Sequence, residues 1–280
     1  MQVIKSPQKL AHLLFKLKQN AKWIGFVPTM GYLHEGHLSL TRRAKKENDI
    51  VVVSIFVNPA QFGPKEDFKN YPRSIKKDLQ MLRDAKVDYV LLPSVASVYP
   101  SSFDSYLKAG PLAHSLCGLR RPGHFDGVVT VVKRLFDIVL PDNAYFGQKD
   151  FQQVCAVQDL VKRFNLPVRI VMCPTIPEGD SLAMSSRNRY LTSEKRKRAH
   201  ALSESLRLTK KLIQKRIFDS RVVRKQIIQF LKPYVDKIDY VEVVNAHNLR
   251  KIQRLKGDVL VAIACFLGKA RLIDNLLIHV

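Results

Sequence analysis

The sequence predicts an α/β protein: a Rossmann-like, doubly wound parallel sheet followed by a small α+β C-terminal domain. Three observations carry this. Over the first 175 residues, short unbroken Val/Ile-rich runs alternate with stretches of helical spacing, the pattern of a parallel sheet covered on both faces. The pattern changes after Pro174-Thr-Ile-Pro177. The length of 280 residues corresponds to about two domains. The expected domains are 1–177 and 178–280.

Residues 23–27 (WIGFV) read as a buried strand, closed by Pro28. Helical spacing follows over 36–48, then a strand at 50–56, a helix at 74–85 and a strand at 88–92 closed by Pro93. A helix at 127–140, a short strand at 144–146, a helix at 150–164 and a strand at 168–173 complete the first domain. Ligands of such a sheet sit at the carboxyl ends of its strands. The loop PEGD (177–180) reads as a hinge. Helices are expected at 193–217, with Ser193 as N-cap, and at 219–231. Strands are expected at 240–244, 259–266 and 270–274, the last two joined by a hairpin turn at Leu267-Gly268-Lys269.

Composition narrows the class. Hydrophobic residues make up 46% and charged residues 25%, which excludes general disorder. The longest apolar runs, 50–57 and 259–267, are far shorter than the ~18–20 residues that span a bilayer. Lysines interrupt the apolar positions of the first thirty residues, so no signal-peptide core is present there. The spacing of Cys117, Cys155, Cys173 and Cys265 suits neither a metal knuckle nor a CxxC pair, and reads as buried thiols of a reducing compartment. A soluble, cytoplasmic protein with no membrane partner is expected.

The net charge is +23, and residues 187–232 contribute +12 of it, with 15 Lys/Arg against 3 acids. Such an excess attracts phosphates and polyanions. Leu202, Leu206, Ile213 and Ile217 form an apolar stripe at helical spacing, which leaves Lys195, Lys197, Lys210 and Lys211 on a solvated face and Arg187 as the functional exception. The segment has only three aromatics, Tyr190, Phe218 and Phe230, so no specific nucleic-acid partner is expected.

Four stretches carry chemistry. PTMGYLHEGH (28–37) links the first strand to the first helix. Gly31 and Gly36 permit a tight turn, and a helix starting near His37 offers free N–H groups to an anion. His34 and His37, three residues apart, can both face that end. Without the Gly-Lys-Ser/Thr of a P-loop, this suggests phosphate binding through histidine; the alternative is a structural turn with surface histidines. SIFVNPAQF (54–62) places Asn58 and Gln61 at a strand end, as ligand amides or as turn and cap residues. YFGQKDFQQ (145–153) puts Lys149 and Asp150 at a helix start with Gln153 one turn on; Asp150 is either a cap or a hydroxyl acceptor. LAMSSRN (182–188) combines two hydroxyls with an arginine, as an oxyanion clamp or a capped linker. The loop RPGHFDG (121–127) is open to a positional or a purely structural reading.

Together with YPR (71–73) and ARLIDN (270–275), these stretches resemble the pantothenate synthetase (pantoate–β-alanine ligase) family, in order and over nearly the whole chain. The resemblance implies a nucleotidyltransferase (HIGH-superfamily) type of Rossmann-like domain. It also implies a homodimer, and condensation of (R)-pantoate with β-alanine using ATP and Mg²⁺. It implies that Met30, Gly31, Tyr32, Leu33, His34, Glu35, Gly36 and His37 form the first ATP segment, with His37 as proton donor and His34 beside it on the phosphates. Gly147, Gln148, Lys149 and Asp150 would bind ATP, with catalytic Lys149 on the phosphates. Ile176 would lie beside the adenine, mainly through backbone, and Met184, Ser185, Ser186 and Arg187 would close on the nucleotide. Gln61 would contact pantoate and β-alanine, Gln153 would hold pantoate, and Asn58 is placed with them in the substrate site. Asp78 is assigned beside the metal. The sequence departs from the family in having Gln148 where Glu is usual, Ser181 where Gly is usual, and an unusually basic balance.

Two other classes share parts of the pattern. An aminoacylating or mononucleotide adenylyltransferase shares HxGH and a later basic Ser-rich loop, but the remaining length leaves no anticodon-binding region. A nucleic-acid module on 187–232 lacks interleaved aromatics.

Overall fold

A computed structural model describes residues 1–64 and 66–280. It divides the chain into two compact units: Met1–Gln148 with Gln152–Pro174, and Lys149–Phe151 with Thr175–Val280.

The first unit contains β1 (Gln2–Ile4), α1 (Pro7–Gln19), β2 (Ile24–Thr29), α2 (Glu35–Glu47), β3 (Ile50–Ile55), α3 (Ile75–Asp84) and β4 (Tyr89–Leu91). It continues with α4 (Val95–Val98), α5 (Leu116–Arg120), α6 (His124–Val139), β5 (Asn143–Gly147), α7 (Phe151–Arg163) and β6 (Arg169–Cys173). The strands form one sheet in the order β1-β4-β3-β2-β5-β6, and every pairing is parallel. The doubly wound parallel sheet read from the sequence is therefore present. Val51, Val52 and Val53 are wholly buried, as residues covered on both sheet faces must be. The chain runs outward from β2 in one direction and from β5 in the other. Their carboxyl ends thus flank the switch point where this architecture places ligands.

The N-terminal strand and helix are not among the expected elements. The Ser6 hydroxyl caps α1 by accepting the Lys9 N–H, Pro7 occupies the first turn, and Leu10 and Leu14 are fully buried. Lys9 and Lys16 flank these apolar positions.

The second unit holds α8 (Ser193–Ala199), α9 (Ala201–Gln214), α10 (Ser220–Leu231), β7 (Lys237–Asn245), β8 (Asp258–Leu267) and β9 (Ala270–His279). The strands form an antiparallel sheet in the order β7-β8-β9. Leu267 pairs with Ala270, so Gly268 and Lys269 make a two-residue hairpin turn, with Gly268 at φ +60°. β9 runs well past residue 274 because β8 pairs with it along its whole length, to Asp258 opposite His279.

Three expectations for this unit change. The single helix over 193–217 is two helices that part at His200. Its N-cap is Thr192, whose hydroxyl accepts the Lys195 N–H, rather than Ser193. Lys197, Lys210 and Lys211 are exposed, but Lys195 is half-buried and pairs with Asp236 at 3.7 Å.

One close approach in the first unit fixes the loop that carries Gln61. α6 packs on the 3-10 turn Pro59–Gln61, and a Cβ at Gly127 would lie 2.1 Å from the Ala60 carbonyl oxygen and 2.6 Å from the Gln61 nitrogen. Both are backbone atoms that no rotamer change can move aside. Overpacking of this kind costs about 1–3 kcal/mol. Gly127→Ala should therefore lower the melting temperature by about 3–8 °C, measured by circular dichroism. An unchanged melting temperature would show that the contact is not tight in solution.

Candidate active site

The loop leaving β2 is held by hydrogen bonds from behind. The Thr29 hydroxyl donates to the Ser54 carbonyl at 2.7 Å and accepts the Gly31 N–H at 3.1 Å. Gly31 has φ +79° and Tyr32 φ +51°, so two successive residues sit in the left-handed region. Gly31 also has no room for a side chain: a Cβ would meet Ile55 Cγ2 at 2.9 Å and Asp78 Oδ2 at 3.0 Å. Asp78, buried on α3, accepts the Tyr32 N–H on Oδ2 and the Leu33 N–H on Oδ1, each at 2.8 Å. Burial raises its pKa, and the two amides oppose that rise. Both oxygens of Asp78 are thus engaged by the backbone of the loop, a structural role beside the metal-associated one that the resemblance implies. Among the described residues, no three His, Cys, Asp or Glu side chains converge in a way that could hold a metal ion.

The loop delivers His34 as the N-cap of α2, so the helix starts at Glu35, earlier than expected, and His37 is its third residue. The His34 N–H donates to His37 Nδ1 at 3.3 Å, and the two rings lie 4.1 Å apart. An accepting Nδ1 places the proton of a neutral His37 on Nε2, making that nitrogen a donor. Leu33 is buried, and Glu35 pairs with Arg42. Met30, Gly31 and Tyr32 line a cavity of about 280 Å³ that also reaches Phe56, Arg73 and Ser74.

At the end of β3, Asn58 is buried and all four of its amide hydrogen-bonding positions are used. Its Nδ2 donates to Gln61 Oε1 (3.1 Å) and to the Gly127 carbonyl (3.0 Å). Its Oδ1 accepts the Ala60 N–H (3.2 Å) and the Tyr99 hydroxyl (2.8 Å). In this arrangement Asn58 orients Gln61 and has no hydrogen bond left to offer a substrate. Among the described residues, Gln61 donates from Nε2 to the Met30 sulfur, at 3.0 Å. His124 supports it from α6: its Nδ1–H donates to the Gln61 carbonyl, and its Nε2 accepts from Arg121, each at 2.8 Å. Arg121 in turn bonds both oxygens of Glu66. Burial pushes the Glu66 carboxyl up, but the Arg121 guanidinium prevails and holds it below its ordinary value. The RPGHFDG loop thus acts through Gln61. Gln153 is half-buried on the first turn of α7. The neighbouring Gln152, which the sequence does not single out, is buried and bonds the Leu112 and Ser115 carbonyls and the Cys117 N–H.

Gly147 ends β5, and Gln148 begins the turn that leads to Lys149 and Asp150. In the second unit, the Lys149 ammonium lies 3.7 Å from the Asp150 carboxylate. The segment 176–188 is folded back on itself: the Met184 N–H donates to the Ile176 carbonyl, Pro177 bridges to Ala183, and the Ser185 hydroxyl accepts the Arg187 N–H. Ser186 is buried. Ser181, which departs from the family's usual Gly, has φ +69° and accepts a hydrogen bond from Arg207 at 2.8 Å. Glu178 gathers this loop, accepting from Asn188 (2.6 Å) and Arg196 (2.7 Å), and Arg196 also bonds both Asp180 oxygens. Arg196 lies inside the basic segment, and nothing in its spacing separates it from the solvated cations around it.

A parallel doubly wound sheet with a histidine-capped helix at its switch point defines a nucleotide-handling α/β protein. Residues 2–277 match the pantoate–β-alanine ligase family, and the chain belongs to it. It is 50% identical over 280 residues to the pantothenate synthetase of Caldicellulosiruptor bescii, covering 100% of this chain and 99% of that one. Its structure is similar to the pantothenate synthetase of Thermus thermophilus, with TM-score 0.94, 40% identity and 99% of both chains covered. It is also similar to the pantoate–β-alanine ligase of Francisella tularensis, described as complexed with β,γ-ATP and β-alanine. There the TM-score is 0.83 and the identity 36%, over 99% of this chain and 97% of that one.

Replacing Asp78 separates its two readings. Each amide left buried without a partner costs about 1–3 kcal/mol. Asp78→Ala should therefore lower the melting temperature by about 5 °C or more, and excess Mg²⁺ should restore neither stability nor turnover. An unchanged melting temperature, with activity restored by Mg²⁺, would return Asp78 to the metal.

Proposed function

We propose that this chain condenses (R)-pantoate with β-alanine, converting ATP to AMP and diphosphate through a pantoyl-adenylate intermediate, and so makes pantothenate for coenzyme A biosynthesis. The observation that carries this reading is the His34–His37 cap, at the switch point of a sheet belonging to a pantoate–β-alanine ligase. A carboxylate is a poor acyl donor because its leaving group is oxide. Attack by the pantoate oxygen on the α-phosphorus of ATP forms a P–O bond and expels diphosphate. Attack by the β-alanine amine on the acyl carbon then forms the amide, expels AMP and releases the amine proton. No covalent enzyme nucleophile is required.

In this reading the chain supplies position and charge compensation. His37 donates from Nε2 and His34 lies beside it, both at the positive end of α2. Lys149 neutralises phosphate, with Gly147, Gln148 and Asp150 around it. Met184, Ser185, Ser186 and Arg187 close on the nucleotide, with the Ile176 backbone at the adenine. Gln61 exchanges a weak bond to the Met30 sulfur for one to a substrate oxygen, and Gln153 holds pantoate. Mg²⁺ would arrive on the ATP oxygens and keep several of its waters, the usual habit of this ion, since the described side chains form no cage for it. We further assign the enzyme to the cytoplasm as a homodimer. Four buried free cysteines and the absence, among the described residues, of any helix able to cross a membrane accord with the first of these. The exposed Lys197, Lys210 and Lys211 fit a solvated face better than a specific nucleic-acid site.

The direct assay is AMP release with each substrate omitted in turn. AMP should require pantoate, β-alanine and ATP together, whereas ATP–diphosphate exchange should require pantoate alone. Exchange driven by an amino acid without pantoate would transfer the chain to the aminoacylating class. His37→Ala and Lys149→Ala should each lower turnover by about 10²–10³-fold with the fold intact; near-normal turnover in either would remove that residue from the site.

A further inference from the structure

The motif ARLIDN takes no part in the chemistry above, yet it lies against the residues that do. β9 carries it. Asn275 Nδ2 donates to the Lys149 carbonyl at 3.0 Å. The preceding Asp274 is buried, and its Oδ1 accepts the Asn275 N–H at 2.8 Å, fixing the backbone from which that amide projects. Across the ladder Asp274 pairs with Ile263 and Asn275 with Ala262, both buried on β8, so the donor stands on a rigid strand. β9 also packs against the turn Ser186–Tyr190, which contains Arg187. Lys149–Phe151 accordingly groups with the C-terminal unit, although the residues on either side of it group with the first.

We propose that Asn275 is a positioning residue for Lys149, and that β9 is the common support of the two cationic segments, Lys149 and Ser186–Arg187. The proposal rests on the assignment of Lys149 to the ATP phosphates. A lysine ammonium sits on a flexible four-carbon stem, so its placement depends on where the backbone aims the Cα–Cβ bond. The Asn275 amide restrains the carbonyl of that same residue. Asp274 acts at longer range: burial raises its pKa, the Asn275 N–H and then the Lys149 charge oppose that rise, and the net value is about 6. Part of the carboxylate's cost of burial is thus offset by the cation it helps to place.

The test is Asn275→Ala in the full-length enzyme. A small misplacement of a charge-stabilising group costs up to about 10²-fold in rate. We expect kcat/KM for ATP to fall about 10- to 100-fold, while KM for pantoate stays within about twofold and the melting temperature within about 3 °C of the parent. ATP affinity measured by calorimetry should be no weaker in Asn275→Ala/Lys149→Ala than in Lys149→Ala alone, because Asn275 acts through Lys149. If Asn275→Ala melts below assay temperature, Asn275→Asp keeps the shape, lacks the donor, and must show the same split between ATP and pantoate. An unchanged kcat/KM for ATP, an equal rise in KM for both substrates, or a full additional loss of ATP affinity in the double variant would overturn the proposal. Near-normal turnover of Lys149→Ala would instead overturn the phosphate assignment, and this proposal with it.

Discussion

Both oxygens of one buried carboxylate, that of Asp78, accept the amide hydrogens of Tyr32 and Leu33, and the turn they hold sets where α2 begins. Two successive left-handed residues are an unfavourable start for a loop, and for Tyr32, which has a Cβ, the conformation costs about 1–2 kcal/mol. The carboxylate compensates by satisfying two donors that burial would otherwise strand. With the turn fixed, His34 falls at the N-cap and His37 one turn on, where its Nδ1 accepts the His34 N–H. The donor that the proposed chemistry asks for, Nε2–H, thus follows from the helix cap, and the turn leading to that cap is held by Asp78.

The same division of labour recurs at the amide side of the site. Asn58 and His124 together fix both the side chain and the backbone of Gln61. Gly127 lets α6 approach closely enough for its carbonyl to anchor Asn58. Gln61 Nε2 is left against a thioether, so under the proposed function its exchange for a substrate oxygen loses little. In the second unit, Glu178 and Arg196 fold the segment bearing Ser185–Arg187 back on itself. Most polar groups around the proposed site residues hold them in place.

How much of this is legible in the sequence depends on the range of each interaction. The alternation of buried runs and helices shows the parallel sheet because each run reports its own burial, as Val51, Val52 and Val53 do. HxGH after a strand shows a helix start because the signal is local, although the helix begins at Glu35, with His34 as its N-cap, and not near His37. The structural role of Asp78 is not visible in the sequence because its partners lie 45 and 46 residues away, and a lone acid on a helix carries no mark of what it faces. Asn58 resembles a ligand amide until its four partners are seen. α1 is not evident in the sequence although Ser6-Pro7 is a local start signal, since lysines interrupt the apolar positions around Leu10 and Leu14. Thr192 and Ser193 are chemically equivalent caps, and only the backbone decides between them. The tie from Asn275 to Lys149 spans 126 residues and leaves no trace in spacing.

The central claim, that the pantoate carboxylate is activated on the α-phosphorus, has one direct measurement. The reaction is run with ¹⁸O in both pantoate carboxylate oxygens, and the products are weighed by mass spectrometry. The account predicts one labelled oxygen in each AMP, with none in diphosphate, because the oxygen that attacks phosphorus leaves with AMP when the amine attacks carbon. Unlabelled AMP, with the label in diphosphate or inorganic phosphate, would contradict it.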